Sequence, residues 1–317
     1  MKNILITSAG RRVSLVKEFI ETASQIDEGI KVFTTDVEPD LAPACHFSHG
    51  SFKVSLVTSE GYVTELLEIC KSNNIGIIVP TIDTCLPVLA ANKDFFAHHG
   101  IQVVISSEDL VLKSCDKRLT REVFKAHGIR CPKPVDAANP EFPLFAKPNN
   151  GSSSIGAHTF MTAEDLPESI RNNPDMLFME YIDKKKYKEF TVDMYYGRDN
   201  RVKAIVPRER IEVRGGEVSK SVTHKPFLQE FIKERFEYLP GVAGPVCVQL
   251  FYHDSDNDVV GIEINPRFGG GYPLTYHAGA NFPRMIIEEY LLDKTLDYTD
   301  NWRDNLLMLR YDAEVII

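Results

Sequence analysis

Glu263, Asn265 and Arg267 recur at every second position in Gly261-Ile262-Glu263-Ile264-Asn265-Pro266-Arg267. In a strand, residues two apart share a face. Glu263 and Asn265 then point one way, and Ile262 and Ile264 point the other way into a core. Residues 246–252 and 259–264 flank the polar turn 253–258 and read as a hairpin. If that turn is symmetric about Asp256, Gln249 lies opposite Glu263, with Cβ atoms roughly 4.5–5.5 Å apart. One carboxylate and two amide oxygens would converge on one point. Such hard oxygen donors suit Mg²⁺, completed by water and substrate phosphates. The plainer alternative is a solvated polar sheet face.

Other chemistry-bearing residues sit around this hairpin in the sequence. Pro266 cannot extend a central strand, so the chain leaves the sheet there and runs through Arg267 to Gly269, Gly270 and Gly271. Successive glycines let a ligand approach the backbone and offer N–H groups to an anion. Arg267 would suit a phosphoryl group in transfer, or else it is a surface cation beside a flexible turn. Lys147 precedes a small-residue loop, Asn149-Asn150-Gly151-Ser152-Ser153-Ser154-Ile155-Gly156. Such loops hold phosphates, although GxxxxGK[ST] is absent and a plain linker has the same composition. Arg208, Arg210 and Arg214 share a parity and so a strand face. That makes a basic patch for phosphate or carboxylate, or a charged edge strand that resists aggregation. The opening Thr7-Ser8-Ala9-Gly10-Arg11-Arg12, with Asp36 ending the second strand, partly matches a dinucleotide site. Only one of the three required glycines is present, which weighs against NAD. Asp83 lies just past a strand end, on the usual ligand side of a parallel sheet, or it caps the next helix. His98-His99 reads as a helix end and His277 as a weak substrate candidate. No GxSxG or HExxH supports a hydrolase.

These residues need a scaffold, and composition bounds it. The chain has 317 residues, 43% hydrophobic and 26% charged, with a net charge of -9. That is an ordinary globular composition of two or three units. It is not that of an obvious nucleic-acid binder. No apolar run reaches the roughly 18–20 residues of a membrane span, and the first residues turn polar too quickly for a signal peptide. Six cysteines without a CxxC pair read as reduced packing thiols in a cytoplasm. Strands are expected at 3–7, 31–35, 75–80 and 101–106, with helices between them on an apolar 3.6 period (Val13, Val16, Phe19, Ile20, Ala23), at 62–70 and from Pro87 to near Gly100. Strand and helix in alternation mean a parallel sheet with helices on its faces. A helix opening at Asp116-Lys117 and closing at Gly128 follows, then strands at 144–147 and 177–182 and a capping box at Thr162–Asp165. From Glu189 the pattern is mainly β, with a hairpin signal at Val213–Val218, and helix returns around 282–292.

The series Asp116-Lys117, Phe145-Ala146-Lys147-Pro148, the Gly/Ser loop, Met179-Glu180-Tyr181-Ile182 and Glu263-Ile264-Asn265-Pro266-Arg267 resembles the ATP-grasp superfamily, in family order over essentially the whole chain. Within it, the opening residues 6–12 and residues 263–273 are similar to one synthetase half of the carbamoyl phosphate synthase large subunit. The resemblance implies α/β and α+β architecture: a Rossmann-like pre-ATP-grasp domain over 1–110, then a two-part ATP-grasp fold split at 111–182 and 183–317. It implies that Lys117 and Lys147 contact ATP phosphates under a mobile loop containing Ser152, Ser153, Ser154 and Gly156. Glu180, Tyr181 and Ile182 would hold adenine and Glu189 the ribose. Gln249, Glu263 and Asn265 would hold Mg²⁺, in two ions, with Mn²⁺ able to substitute. Arg267, with Arg210 and Arg214, would bind the phosphate or acyl phosphate. Gly10, Arg11, Asp36, Asp83, Gly270 and Gly271 are the substrate candidates. The implied reaction joins a small-molecule carboxylate to an amine through an acyl phosphate, in a homodimer, with no nucleic-acid or membrane partner. The single grasp unit weighs against carbamoyl phosphate formation, and the short C-terminal region against a biotin carboxylase. A non-catalytic nucleotide-binding module, and a carboxylate kinase without an amine acceptor, stay open.

Overall fold

A computed structural model describes residues 2–149 and 156–317. Among the described residues the strands form three sheets. The first is parallel, built from β1 (Asn3–Thr7), β2 (Val32–Asp36), β3 (Ser51–Lys53), β4 (Ile75–Pro80) and β5 (Gln102–Val103) in the order β3-β2-β1-β4-β5. The apolar runs of β1 and β4 reflect burial on both faces. Ile4 and Ile6 join one core, and Leu5 joins the core on the other side. The strand expected over 101–106 is only two residues long. Beyond Val104, whose N–H donates to Ile78 O (2.9 Å), the chain leaves this sheet edge to bind a different partner. Ser107 N–H donates to Gly241 O (2.7 Å). The expected helix from Pro87 to Gly100 is two helices, Leu86–Ala91 and Lys93–His98. Asn92 divides them, its side-chain amide donating back to Val88 O at 2.8 Å, a local bond that competes with helix continuation. Strand β3 and the helix Glu108–Cys115 carry no strong periodic signal and were not expected from the sequence.

The second sheet is small and antiparallel: β6 (Leu144–Pro148), β7 (His158–Phe160) and β8 (Met176–Glu180), ordered β7-β6-β8. The capping box at Thr162 and Asp165 is present and starts a single 3₁₀ turn. The third sheet holds β9 (Lys188–Tyr196), β10 (Val202–Arg214), β11 (Glu217–Thr223), β12 (Gly244–His253), β13 (Asp258–Asn265) and β14 (Leu307–Leu309), ordered β13-β12-β9-β10-β11-β14. The β10–β11 turn places Gly215 and Gly216 at positive φ, +58° and +81°, the conformation a two-residue hairpin demands. Alternation sorts this sheet's faces. Phe190, Val192, Met194 and Tyr196 meet Val246, Val248 and Leu250 in one core, closed by Phe124 of helix Lys117–Ala126 and by helix Leu228–Phe236. The opposite face carries the odd-numbered side chains of β9 and β12. Ile262 departs from its expected place in the core and is only half-buried, because it is the extra residue of a β-bulge: Gln249 pairs with Glu263 while Leu250 pairs with Gly261. Of the cysteines, Cys115 is exposed, so it is not a packing residue; all six are free thiols. No described helix is long and apolar enough to cross a membrane.

Helix Val13–Ile26 ties the first sheet to the rest. Leu15, Val16, Phe19 and Ala23 join Phe268, Tyr272, Phe282, Ile286 and Ile287 in one core. Glu18 lies on the same buried face, 3% exposed, and neither carboxylate oxygen has a hydrogen-bond partner among the described residues. Burial, then the nearby charges of Glu21 and Asp193, push its carboxyl up from 4.5 to about 8. Between those two values the folded state holds one proton more than the unfolded chain, so stability falls as pH rises through that window. Glu18→Gln removes this dependence. Urea unfolding should find the variant more stable than the unaltered protein by about 2–4 kcal/mol near pH 9, and closely matched near pH 4. Parallel pH profiles for the two proteins would show that the carboxyl is ionised in the fold.

Candidate functional site

The polar face of the large sheet is organised in cross-strand rows. Glu263 faces Gln249, Gln249 faces Thr191, and Thr191 faces Arg208. In the next row Asn265 faces Cys247, and Cys247 faces Asp193. The bulge at Ile262 aligns Glu263 and Asn265 with these neighbours.

Arg208 and Asp193 hold the centre. They are 1% and 3% exposed, and joined by two bonds, Nε to Oδ2 at 2.8 Å and Nη2 to Oδ1 at 3.0 Å. Thr275 Oγ1 donates to the same carboxylate at 2.6 Å. The glycines after Arg267 close over this pair. A Cβ at Gly269 would lie 2.9 Å from Cys247 Sγ and 3.1 Å from Asp193 Oδ1, and one at Gly271 would overlap Arg208 Nη1. Gly269 and Gly271 are thus fixed by packing over a buried ion pair. Gly270 faces the other way, toward Glu217 and Arg12.

The basic patch expected from Arg208, Arg210 and Arg214 is dispersed. Shared parity sets a face but not depth. Arg208 is internal. Arg210 Nε lies 3.0 Å from Glu189 Oε1, and Lys184 Nζ lies 3.2 Å from the other oxygen of Glu189. Arg214, near the hairpin tip, is exposed and pairs with Asp312 at 2.5 Å.

Two lysines from outside the large sheet lie toward the β12–β13 hairpin. Lys147 on β6 places Nζ 3.5 Å from Glu263 Oε1. Asp116 caps the helix Lys117–Ala126 and accepts Asn149 Nδ2 at 3.2 Å. Lys117 Nζ donates to Asn149 O at 2.8 Å, at the point where the chain enters the Gly/Ser loop. Burial lowers the Lys117 ammonium and the nearby Lys147 adds to this, while Glu263 opposes it. Two cations thus lie near the Glu263 carboxylate, a setting that suits phosphate oxygens. Ser152, Ser153 and Ser154 lie outside the described residues. Gly156 is exposed at φ +73°.

At the end of β8, Glu180 Oε2 accepts Lys133 N–H at 3.0 Å and Arg130 Nη1 at 3.3 Å. Arg130 also donates to Asp258, with Nε to Oδ1 at 2.8 Å, and Tyr187 OH donates to the same carboxylate at 2.7 Å. The Arg130 bond holds the Asp258 carboxyl below its ordinary range despite partial burial. Tyr181 and Ile182, half-buried and buried, continue from Glu180. Arg130 and Asp258 were not singled out from the sequence, and no motif marks them.

The first sheet contributes Asp83, whose Oδ2 accepts Arg267 Nη2 at 2.8 Å. Burial lowers the Arg267 guanidinium, but Asp83 outweighs it and the net shift is upward. Asp36 accepts N–H bonds from Gly10 (3.0 Å) and Glu38 (3.2 Å), so its carboxylate shapes its own loop. Arg11 and His277 are exposed.

Gln249, Glu263 and Asn265 fit a hard divalent cation. Among the described residues no three His, Cys, Asp or Glu side chains converge on a metal position. The donors available are one carboxylate and two amides, which leaves most of the coordination to water and phosphate, as Mg²⁺ prefers. Asn265 Nδ2 is buried with no hydrogen-bond partner among the described residues, an open polar group of the kind a bound ligand or its water completes.

Two family models, one of them for an ATP-grasp domain, match parts of this chain. Residues 4–104 match a family model described as PylC-like, N-terminal domain, and residues 172–310 match one described as ATP-grasp in the biosynthetic pathway with Ter operon. The chain is similar to D-alanine–D-alanine ligase B of Clostridium perfringens, 24% identical over 157 residues that cover 42% of this chain and 51% of that protein. It thus spans about half the length of this curated relative. Its fold is similar to a pyruvate carboxylase of Rhizobium etli bound to acetyl coenzyme A, with a TM-score of 0.73 and 15% identity over 97% of this chain and 30% of that one. It is also similar to the biotin carboxylase domain of Hydrogenobacter thermophilus 2-oxoglutarate carboxylase in complex with MgADP and bicarbonate. That match has a TM-score of 0.72 and 14% identity over 96% of this chain and 73% of that one.

The ion pair under the glycines offers a direct test. Asp193→Asn keeps the side-chain shape but leaves Arg208 charged and alone out of water. Denaturant unfolding should register a loss of about 3–5 kcal/mol.

Proposed function

We propose that this protein is an ATP- and Mg²⁺-dependent carboxylate–amine ligase that works through an acyl phosphate and releases ADP and phosphate. The observation that carries the reading is the ion pair of Lys147 on the small sheet with Glu263 on the large one, with Lys117 in the electrostatic reach of both. Facing Gln249 and neighbouring Asn265 complete an oxygen-rich wall. The likeness to a ligase and to an MgADP-bound domain supports it.

In this reading Lys117 and Lys147 bind the nucleotide phosphates, and the segment from Glu180 to Ile182 holds the base. Glu189 takes the ribose, in exchange for one of its two present cation partners. Mg²⁺ held by Gln249, Glu263 and Asn265 would neutralise charge between the phosphates, so that positioning does most of the catalytic work. A substrate carboxylate oxygen attacks the γ-phosphorus, and the bond from that phosphorus to the β,γ-bridging oxygen breaks, leaving ADP. Arg267, fixed by Asp83, faces the new acyl phosphate. The amine then attacks the acyl carbon and phosphate leaves with the C–O bonding pair, while the amine gives up a proton.

The reaction assay measures ADP and phosphate released from ATP with pooled carboxylates and amines, with and without Mg²⁺. Release that requires all three components is expected; AMP and pyrophosphate would contradict the mechanism, and release that ignores the amine would favour a kinase. Glu263→Gln should cut turnover by roughly 10²-fold or more while circular dichroism and melting stay unchanged. Full turnover in that variant would remove Glu263 from the metal set.

A further inference from the structure

We propose that Arg12 forms, with Arg267, a two-guanidinium clamp for one oxyanion group of the substrate, a carboxylate or a phosphate, in the crevice between β1 and β4. The proposal rests on the ligase reading for the substrate's presence, but its own basis lies in four observations.

The first is position. In the order β3-β2-β1-β4-β5 the chain reverses its direction of winding between β1 and β4. Ligands of open parallel sheets bind outside the carboxyl ends of the strands at such a switch. Arg12 follows the end of β1, and Thr81 and Asp83 follow the end of β4. Arg12 Nη2 reaches across to Thr81 O at 3.4 Å, and Asp83 holds Arg267.

The second is an unfilled donor set. A guanidinium offers five N–H groups. Among the described residues, that 3.4 Å contact is the only hydrogen bond of the Arg12 guanidinium. Arg267 Nε is buried with no hydrogen-bond partner among them.

The third is charge. Burial, and then Arg267, lower the Arg12 guanidinium, so the two cations feel each other in a poorly solvated place. The acids nearby are already committed, Asp83 to Arg267 at 2.8 Å and Glu217 to Arg310 at 2.9 Å. Each of these two carboxylates is thus paired with another arginine, and Arg12 has no carboxylate of its own among the described residues.

The fourth is the backbone alongside. A Cβ built on Gly270 would lie 3.3 Å from Glu217 Oε1 and 3.6 Å from Arg12 Nη1, so glycine adds no side chain of its own between these two groups. Paired arginine forks recognise carboxylate and phosphate through several parallel bonds.

The test titrates the full chain with succinate and, separately, with inorganic phosphate, at constant ionic strength, by calorimetry. MgADP binding is measured in parallel. Saturable binding of at least one anion is expected, and which one binds tells a carboxylate subsite from a phosphate subsite. Arg12→Gln should weaken it by about tenfold or more, with MgADP affinity unchanged. Arg12→Lys, which keeps the charge but not the fork, should fall between. Lys17→Gln, on the exposed side of the same helix, makes the same change in net charge and should bind the anion as the unaltered protein does. Equal anion affinity in Arg12→Gln, equal loss in Lys17→Gln, or no anion binding by the unaltered protein would each overturn the clamp. None of these outcomes depends on ADP release, so failure of the ligase reading is seen separately.

Discussion

Arg208 and Asp193 lie almost wholly out of water, and neither could remain charged there without the other. Their two-bond contact joins β9 to β10, and Thr275 adds a third donor from the helix Tyr272–Ala278. The chain that leaves the sheet at Pro266 must cross directly above this pair, which allows no side chain at Gly269 or Gly271. Arg267 is carried on that crossing. Its position against Asp83 therefore depends on an ion pair that touches no substrate. The glycines that suggest a ligand cradle in the sequence answer first to this buried charge.

Much of the scaffold was legible. The apolar runs at β1 and β4, the Gly-Gly hairpin and the β12–β13 ladder all follow from local pattern. The pairing of Gln249 with Glu263 was expected from a symmetric turn centred on Asp256. The ladder nearest the turn is in fact centred half a residue lower, with His253 facing Asp258, and the bulge at Ile262 restores the register at Glu263. Bulges depend on the neighbouring strand and leave no period to read. Side-chain depth was less legible. Arg208, Arg210 and Arg214 look equivalent in sequence, yet one is internal, one shares Glu189 and one is at the surface. Partners far apart along the chain were not legible at all: Asp83 and Arg267 meet across 184 positions, and Arg130 and Asp258 across 128.

The small sheet stands differently toward the large one. Lys147 and Glu263 are 3.5 Å apart, a loose contact between partly solvated groups, worth little as a structural bond. The opposite end is fastened more firmly, by Arg130 bridging Glu180 and Asp258. Two sheets joined by a bridged arginine at one place and by an exchangeable charge contact at another can take up a charged ligand at the second without disturbing either sheet's own hydrogen bonds. The polar row from Glu263 to Arg208 is rigid because it is a sheet, and the lysines can adjust because they are not part of it.

The packing of helix Val13–Ile26 has a consequence for the order in which the molecule is made. Its apolar face is covered by Phe268, Tyr272, Phe282, Ile286 and Ile287, all supplied some 250 positions later. During synthesis the first sheet can form early and cover part of this face with Ile4, Ile6, Val32 and Ala44, but the rest stays in water until residues 268–287 have left the ribosome. Over that interval Glu18 is solvated and ionised, a charge in the middle of a surface that would otherwise be purely apolar. The same carboxyl that is costly in the finished core costs nothing on the unfinished chain, where water solvates it.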